Sequence, residues 1–152
     1  MTSRVIGLGV ALTLSLAAAA VAQTPSSEAR DASRVYELAV MLESVTLRCK
    51  LIGIDRQPKF QTFTARQKRG LTGAKEALMR HFEAVAKADM NREIDRFYIR
   101  TYNFYGTGRT DQESCNSFAE LMDILAEPDA DAALLTRVAE IMVPDPMLDA
   151  YP

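Results

Sequence analysis

The chain has 152 residues, with 18 basic and 20 acidic side chains and a formal net charge of −2. That length suits one domain rather than several, and no stretch beyond the N-terminal segment is long and apolar enough to span a bilayer. Two cysteines and one histidine cannot complete a tetrahedral zinc site without a further ligand, and none stand at metal spacing.

Residues 1–22, MTSRVIGLGVALTLSLAAAAVA, carry one base, Arg4, before an apolar run from Val5 to Val21. Ala20-Val21-Ala22 then offers small residues two apart, and Gln23-Thr24-Pro25 turns polar. The pattern predicts a cleaved secretory signal peptide over 1–22, and no cysteine follows it to accept a lipid. About 130 residues remain, enough for a core. They are expected to form a single helical domain over 23–143, followed by an extended tail over 144–152. The expected location is periplasmic or secreted.

Glycine and proline are sparse, apolar residues recur at helical spacing and no alternating strand is visible. The expected fold is all-α, a small bundle of four to five helices. The first helix should open near Ser26 or Ser27. Val35, Leu38, Leu42, Val45, Cys49 and Ile52 step by three and four, and a second row through Tyr36, Val40, Leu47, Leu51 and Ile54 widens the stripe. Such a helix is central, or it also meets a partner, a second copy of the chain included. Arg48 and Lys50 suit its last turn and Gly53 the position just beyond.

The second helix is expected from Thr62 or Thr64, where Thr64-Ala65-Arg66-Gln67 fits a capping box. Gly70 and Gly73 weaken its first half unless they serve close approach. Leu71, Ala74, Leu78, Phe82 and Val85 form its inner stripe. The stripe shifts near Ala86-Lys87-Ala88-Asp89, which predicts a break and a third helix over 91–105 with Ile94, Phe97, Tyr98, Thr101 and Tyr105 inside. A fourth helix follows a capping box at Thr110-Asp111-Gln112-Glu113. A last short one spans 129–143 and ends at Pro144 and Pro146.

In an oxidising compartment, Cys49 and Cys115 are expected to pair. The disulfide would tie the end of the first helix to the start of the fourth.

Charge is segregated. Residues 56–109 hold twelve bases and five acids, whereas residues 110–152 hold ten acids and one base, Arg137. Arg56, Lys59, Arg66, Lys68, Arg69 and Lys75 form a basic run without an interrupting acid, a candidate contact for an anionic partner. Arg92, Arg96 and Arg100 step by four along one helix face beside Tyr98 and Tyr102. No nucleic-acid-binding signature accompanies them, so a nucleic-acid partner is not expected.

Catalytic candidates are weak. His81 could act as a general base, yet no serine, cysteine or carboxylate near it forms a recognisable pair. Gly106-Thr107-Gly108-Arg109-Thr110 resembles a phosphate loop only superficially, because Asn103 stands where a Walker-type loop needs glycine and Arg109 where it needs lysine. A helix beginning at Thr110 could hold a small anion with Arg109 alongside. No cofactor, metal or catalytic residue is assigned. The composite expectation is an exported binding or accessory protein whose partner is a protein or an anionic envelope component. A small-molecule or lipid carrier, a periplasmic acid- or stress-responsive holding chaperone and an enzyme using His81 are the alternatives.

Overall fold

A computed structural model describes residues 24–151, so the signal segment predicted over 1–22 lies outside the described residues. The described chain forms six α-helices and no strand: α1 Ser27–Leu51, α2 Gln57–Arg66, α3 Lys68–Ala86, α4 Met90–Gly106, α5 Gln112–Ala126 and α6 Ala132–Met142. Single 3-10 turns occupy Lys87–Asp89 and Met147–Ala150. The all-α bundle is as expected, with one helix more than the upper count.

The central element is α1, with α3, α4, α5 and α6 all packed against it. Most of its wide apolar stripe is filled from within the chain: Val35, Leu38, Val40, Leu42 and Val45 are buried, whereas Leu47, Leu51 and Ile52 near its end are exposed. The Ser26 hydroxyl caps its start by accepting from Ala29 N at 3.2 Å. Gly53, at φ 83, takes the left-handed conformation that lets the chain leave the helix. The core around α1 centres on Phe63, Phe82, Phe97, Leu78, Met122, Leu125, Leu135 and Leu148.

The second helix starts earlier than expected. Pro58 lies in the first turn of α2, where its missing N–H costs nothing. The capping box expected at Thr64 does not form: the Thr64 hydroxyl donates to Gln61 O, and the Thr62 hydroxyl to Pro58 O, both at 3.0 Å. The break falls instead at Gln67, between α2 and α3. The buried Gln67 amide donates through Nε2 to Leu125 O at 2.7 Å and Ala130 O at 3.1 Å. One polar side chain thereby satisfies backbone carbonyls near the end of α5. Gly70 serves close approach, since a Cβ there would meet Leu135 Cδ2 at 2.8 Å, whereas Gly73 has nothing within 4 Å.

The predicted break near Asp89 is present as the 3-10 turn joining α3 to α4. Asp111, rather than Thr110, caps α5, accepting from Ser114 N at 2.8 Å. Asp131 caps α6 in the same way through Leu134 N. Cys49 and Cys115 form the expected disulfide, with Cα atoms 5.8 Å apart, and both are fully buried.

The tail expected to be extended is a strap folded onto α1. Leu148 is buried, and the strap's 3-10 turn is held by Arg30, which makes a bidentate pair with Asp149. Arg34 donates to Val143 O and Pro144 O, both at 3.2 Å. Tyr151 sits edge-on to Phe82 and Phe97 and its hydroxyl donates to Glu93.

Candidate functional site

Half of the predicted basic run is consumed inside the fold. The acidic helix α5 packs along α2. There Lys59 pairs with Asp123, Arg56 donates to Asn116 Oδ1 at 2.6 Å, and Arg66 donates to Glu127 O at 3.1 Å. Lys75 lies with Nζ 6.0 Å from the Tyr98 ring centroid. Lys68 and Arg69 remain exposed on the first turn of α3. The run is therefore not one continuous free patch.

Thr110, expected beside Arg109 at the start of the following helix, is engaged from α1. The Thr110 hydroxyl accepts from Arg48 Nε at 2.8 Å, and Arg48 Nη1 also donates to Tyr105 O at 2.5 Å. An arginine from the end of α1 thus closes the last carbonyls of α4 and anchors the turn that follows. Of the two glycines in that turn, Gly108 takes a positive φ of 118 while Gly106 stays helical. Arg109 is exposed.

His81 lies half-buried in a groove between α1 and α3, beside Ser26, Glu28, Ala77 and Arg80. Its ring meets Phe82 edge-on, and burial lowers its pKa, favouring the neutral imidazole. Among the described residues it makes no hydrogen bond to a hydroxyl, thiol or carboxylate.

Sequence reasoning passed over Glu37, the one fully buried carboxylate on α1 (0% exposed). Its Oε1 accepts from Ser33 Oγ at 2.7 Å and from Met147 N at 2.8 Å, and its Oε2 accepts from Tyr105 Oη at 2.9 Å. No cation pairs with it among the described residues, and burial pushes its pKa up while the three donors oppose the shift. It joins α1, α4 and the strap at one point. A glutamate amid an apolar stripe is the signal that could have found it: Glu37 sits between Tyr36 and Leu38, within the buried part of α1.

The most open chemistry lies on the outer face of α4. Arg92, Arg96 and Arg100 step by four, Ile99 and Asn103 lie three beyond Arg96 and Arg100, and all five border a shallow surface depression together with Asp95. Ile99 and Phe104 are each 62% exposed. Arg96 bridges to Glu93 at 3.0 Å within the helix. Among the described residues, Arg92 and Arg100 form no ion pair. Arg100 also borders a second groove, with Phe104 and Met147, between α4 and the strap.

The tyrosines are placed differently from the arginines. Tyr98 turns inward and stacks on Tyr36 at 4.8 Å, and Tyr102 at the edge donates to Glu43 Oε2 at 2.8 Å. The basic and aromatic side chains therefore do not interleave on one face, as stacking of nucleic-acid bases requires.

No protein-family model, curated protein or solved structure matches this chain.

The described residues contain no group of three or more histidine, cysteine or acidic side chains placed to hold a metal ion, and no helix among them is long and apolar enough to cross a membrane. What the α4 face can do chemically is bind. Three guanidiniums provide planar, bidentate donors for carboxylate or phosphate oxygens, flanked by apolar side chains that gain by leaving water.

Proposed function

We propose that this chain is an exported, disulfide-stapled helical protein that acts by binding an anionic partner, and that the outer face of α4 is the surface it uses. The observation that carries the reading is the contrast between two basic regions. Arg56, Lys59 and Arg66 at α2 are engaged by α5 and the residue after it, while Arg92 and Arg100 on α4 stand without a hydrogen-bond or ion-pair partner among the described residues, beside exposed Ile99. Charge left free next to exposed apolar area is a reason for association that the α2 region no longer has.

Export is supported by the apolar N-terminal segment and by a fully buried disulfide, a bond that persists in oxidising compartments. Cell fractionation with N-terminal sequencing of the full chain tests it: cleavage after Ala22 and recovery outside the cytoplasm are expected.

Binding is tested by retention of envelope components on the immobilised mature protein at low and moderate salt. The Arg92→Gln/Arg100→Gln variant is expected to lose most retention and a Lys68→Gln/Arg69→Gln variant to keep it. Equal retention by both variants would move the interface away from α4. A second reading, a carrier, draws on the groove of about 450 Å³ between Arg100, Phe104 and Met147. Native mass spectrometry of purified protein checks it, and a clean apo mass removes it.

A further inference from the structure

We infer that the partner of the α4 face is an anionic lipid surface. The inference rests on the binding reading above and names the chemistry it leaves open.

The geometry of the face carries the choice. It is the outward side of one helix, and the depression along it is shallow and open. Arg92, Arg96 and Arg100 lie on successive turns, spanning about 12 Å along the helix. Ile99 lies beside this row on one side and Phe104 on the other. The face is a row of basic and apolar side chains along an open, shallow depression. A fluid headgroup layer conforms to it. Phosphate groups take up the guanidiniums in bidentate fashion, and the exposed apolar side chains reach the acyl boundary between them.

All three cations of the face are arginine, the side chain whose planar fork matches phosphate and which sheds water most easily. Opposing charge borders the face at Asp95 and, across the groove beside Arg100 and Phe104, at Asp145 and Asp149 of the strap, of which Asp149 is already paired with Arg30, while Glu93 is turned toward Arg96 and Tyr151. The acidic helix α5 is kept aside. Helix α4 packs on α1 and α3, and α5 packs on α2 and α1, so α5 does not screen the face. The charge separation along the sequence is thus closed at α2, where α5 engages Arg56, Lys59 and Arg66, and left open at Arg92 and Arg100.

Co-sedimentation of the mature protein with phosphatidylglycerol–phosphatidylcholine vesicles, against pure phosphatidylcholine vesicles, tests the inference. Binding to the anionic vesicles alone is expected, weakening several-fold when salt rises from about 50 to 300 mM because exposed charges are screened. Arg92→Gln/Arg100→Gln is expected to lower the partition coefficient at least tenfold. Ile99→Ser/Phe104→Ser should lower it as well, and Lys68→Gln/Arg69→Gln should leave it unchanged. Unchanged thermal unfolding of each variant keeps the comparison free of folding defects.

Equal binding to neutral vesicles, no binding to either vesicle, or loss with the Lys68/Arg69 variant each overturns the lipid assignment. If vesicles are ignored while a membrane-free extract yields a protein held by the wild type and lost by Arg92→Gln/Arg100→Gln, the lipid assignment falls and the α4 interface stands. If neither vesicle nor extract distinguishes these proteins, both fall.

Discussion

Tyr105 on α4 donates its hydroxyl hydrogen to Glu37 Oε2 on α1 at 2.9 Å, and the carboxylate's other oxygen holds Met147 N of the strap. Three segments distant in sequence meet at one buried charge. Burial pushes the phenol's pKa up as well as the carboxyl's, so Tyr105 stays a donor throughout the physiological range.

Glu37 makes stability depend on pH in a defined direction. Its folded pKa is raised above its unfolded value, so the carboxyl contributes most where it is protonated in both states. That contribution is lost as pH climbs from the unfolded value through the folded one. Glu37→Gln keeps an acceptor for Ser33 and Met147 and offers Tyr105 a donor, because a hydroxyl can accept as well. Denaturant titrations from acidic to neutral pH should show this variant losing the Glu37-linked fall in stability and equalling or exceeding the wild type at pH 7. Glu37→Ala instead leaves three donors without an acceptor and opens a cavity, at a cost of about 3 kcal/mol.

Gln67 is expected to be more sensitive to charge than to size. Its amide faces two backbone carbonyls, Leu125 O and Ala130 O. Gln67→Glu places a carboxylate acceptor against two acceptors, and Gln67→Ala removes the donor alone. Chemical denaturation should rank the wild type above Gln67→Ala, and that above Gln67→Glu at neutral pH. The alanine variant should lose about 2 kcal/mol. Recovery of the glutamate variant as pH falls and its carboxyl gains a proton would identify the cause.

The two glycines of α3 should respond with opposite signs. Gly73→Ala adds a methyl into open space within a helix and should gain about 0.5–1 kcal/mol. Gly70→Ala brings a methyl within 2.8 Å of Leu135 Cδ2, and Leu135 is itself 1% exposed, with little room to yield. Thermal melts of the pair should therefore diverge, with Gly70→Ala falling below the wild type despite its better helix propensity.

Removing the disulfide with Cys49→Ser/Cys115→Ser frees a loop of 66 residues' separation in the unfolded chain. The chain-entropy model gives about 4 kcal/mol, and two hydroxyls placed in a fully buried apolar site add to the loss. Urea unfolding with and without reductant measures the first contribution separately from the second.

Much of the fold was legible because α1, α4 and α5 have long periodic stripes. The Cys49–Cys115 pairing followed from two thiols that had only each other. The start of α2 falls earlier than the Thr64 box suggests because Pro58 is compatible with a first helical turn and no capping side chain marks Arg56. Thr64-x-x-Gln67 matched a capping box, but Gln67 had a stronger use as a donor to carbonyls sixty residues away, a tertiary demand that no local pattern records. Glu37 went unseen for the same reason, since its three donors come from its own helix, from α4 and from the strap. The basic run over 56–75 was visible as composition. That α5 would occupy half of it depended on which helices became neighbours.

The turn after α4 has a consequence for cleavage. Thr107, Gly108 and Arg109 are exposed and lie between Cys49 and Cys115 in the chain. A trypsin nick after Arg109 would open the polypeptide without releasing either piece, because the bridge spans the cut. The nicked protein would run as a single species on a non-reducing gel and as two fragments once reduced.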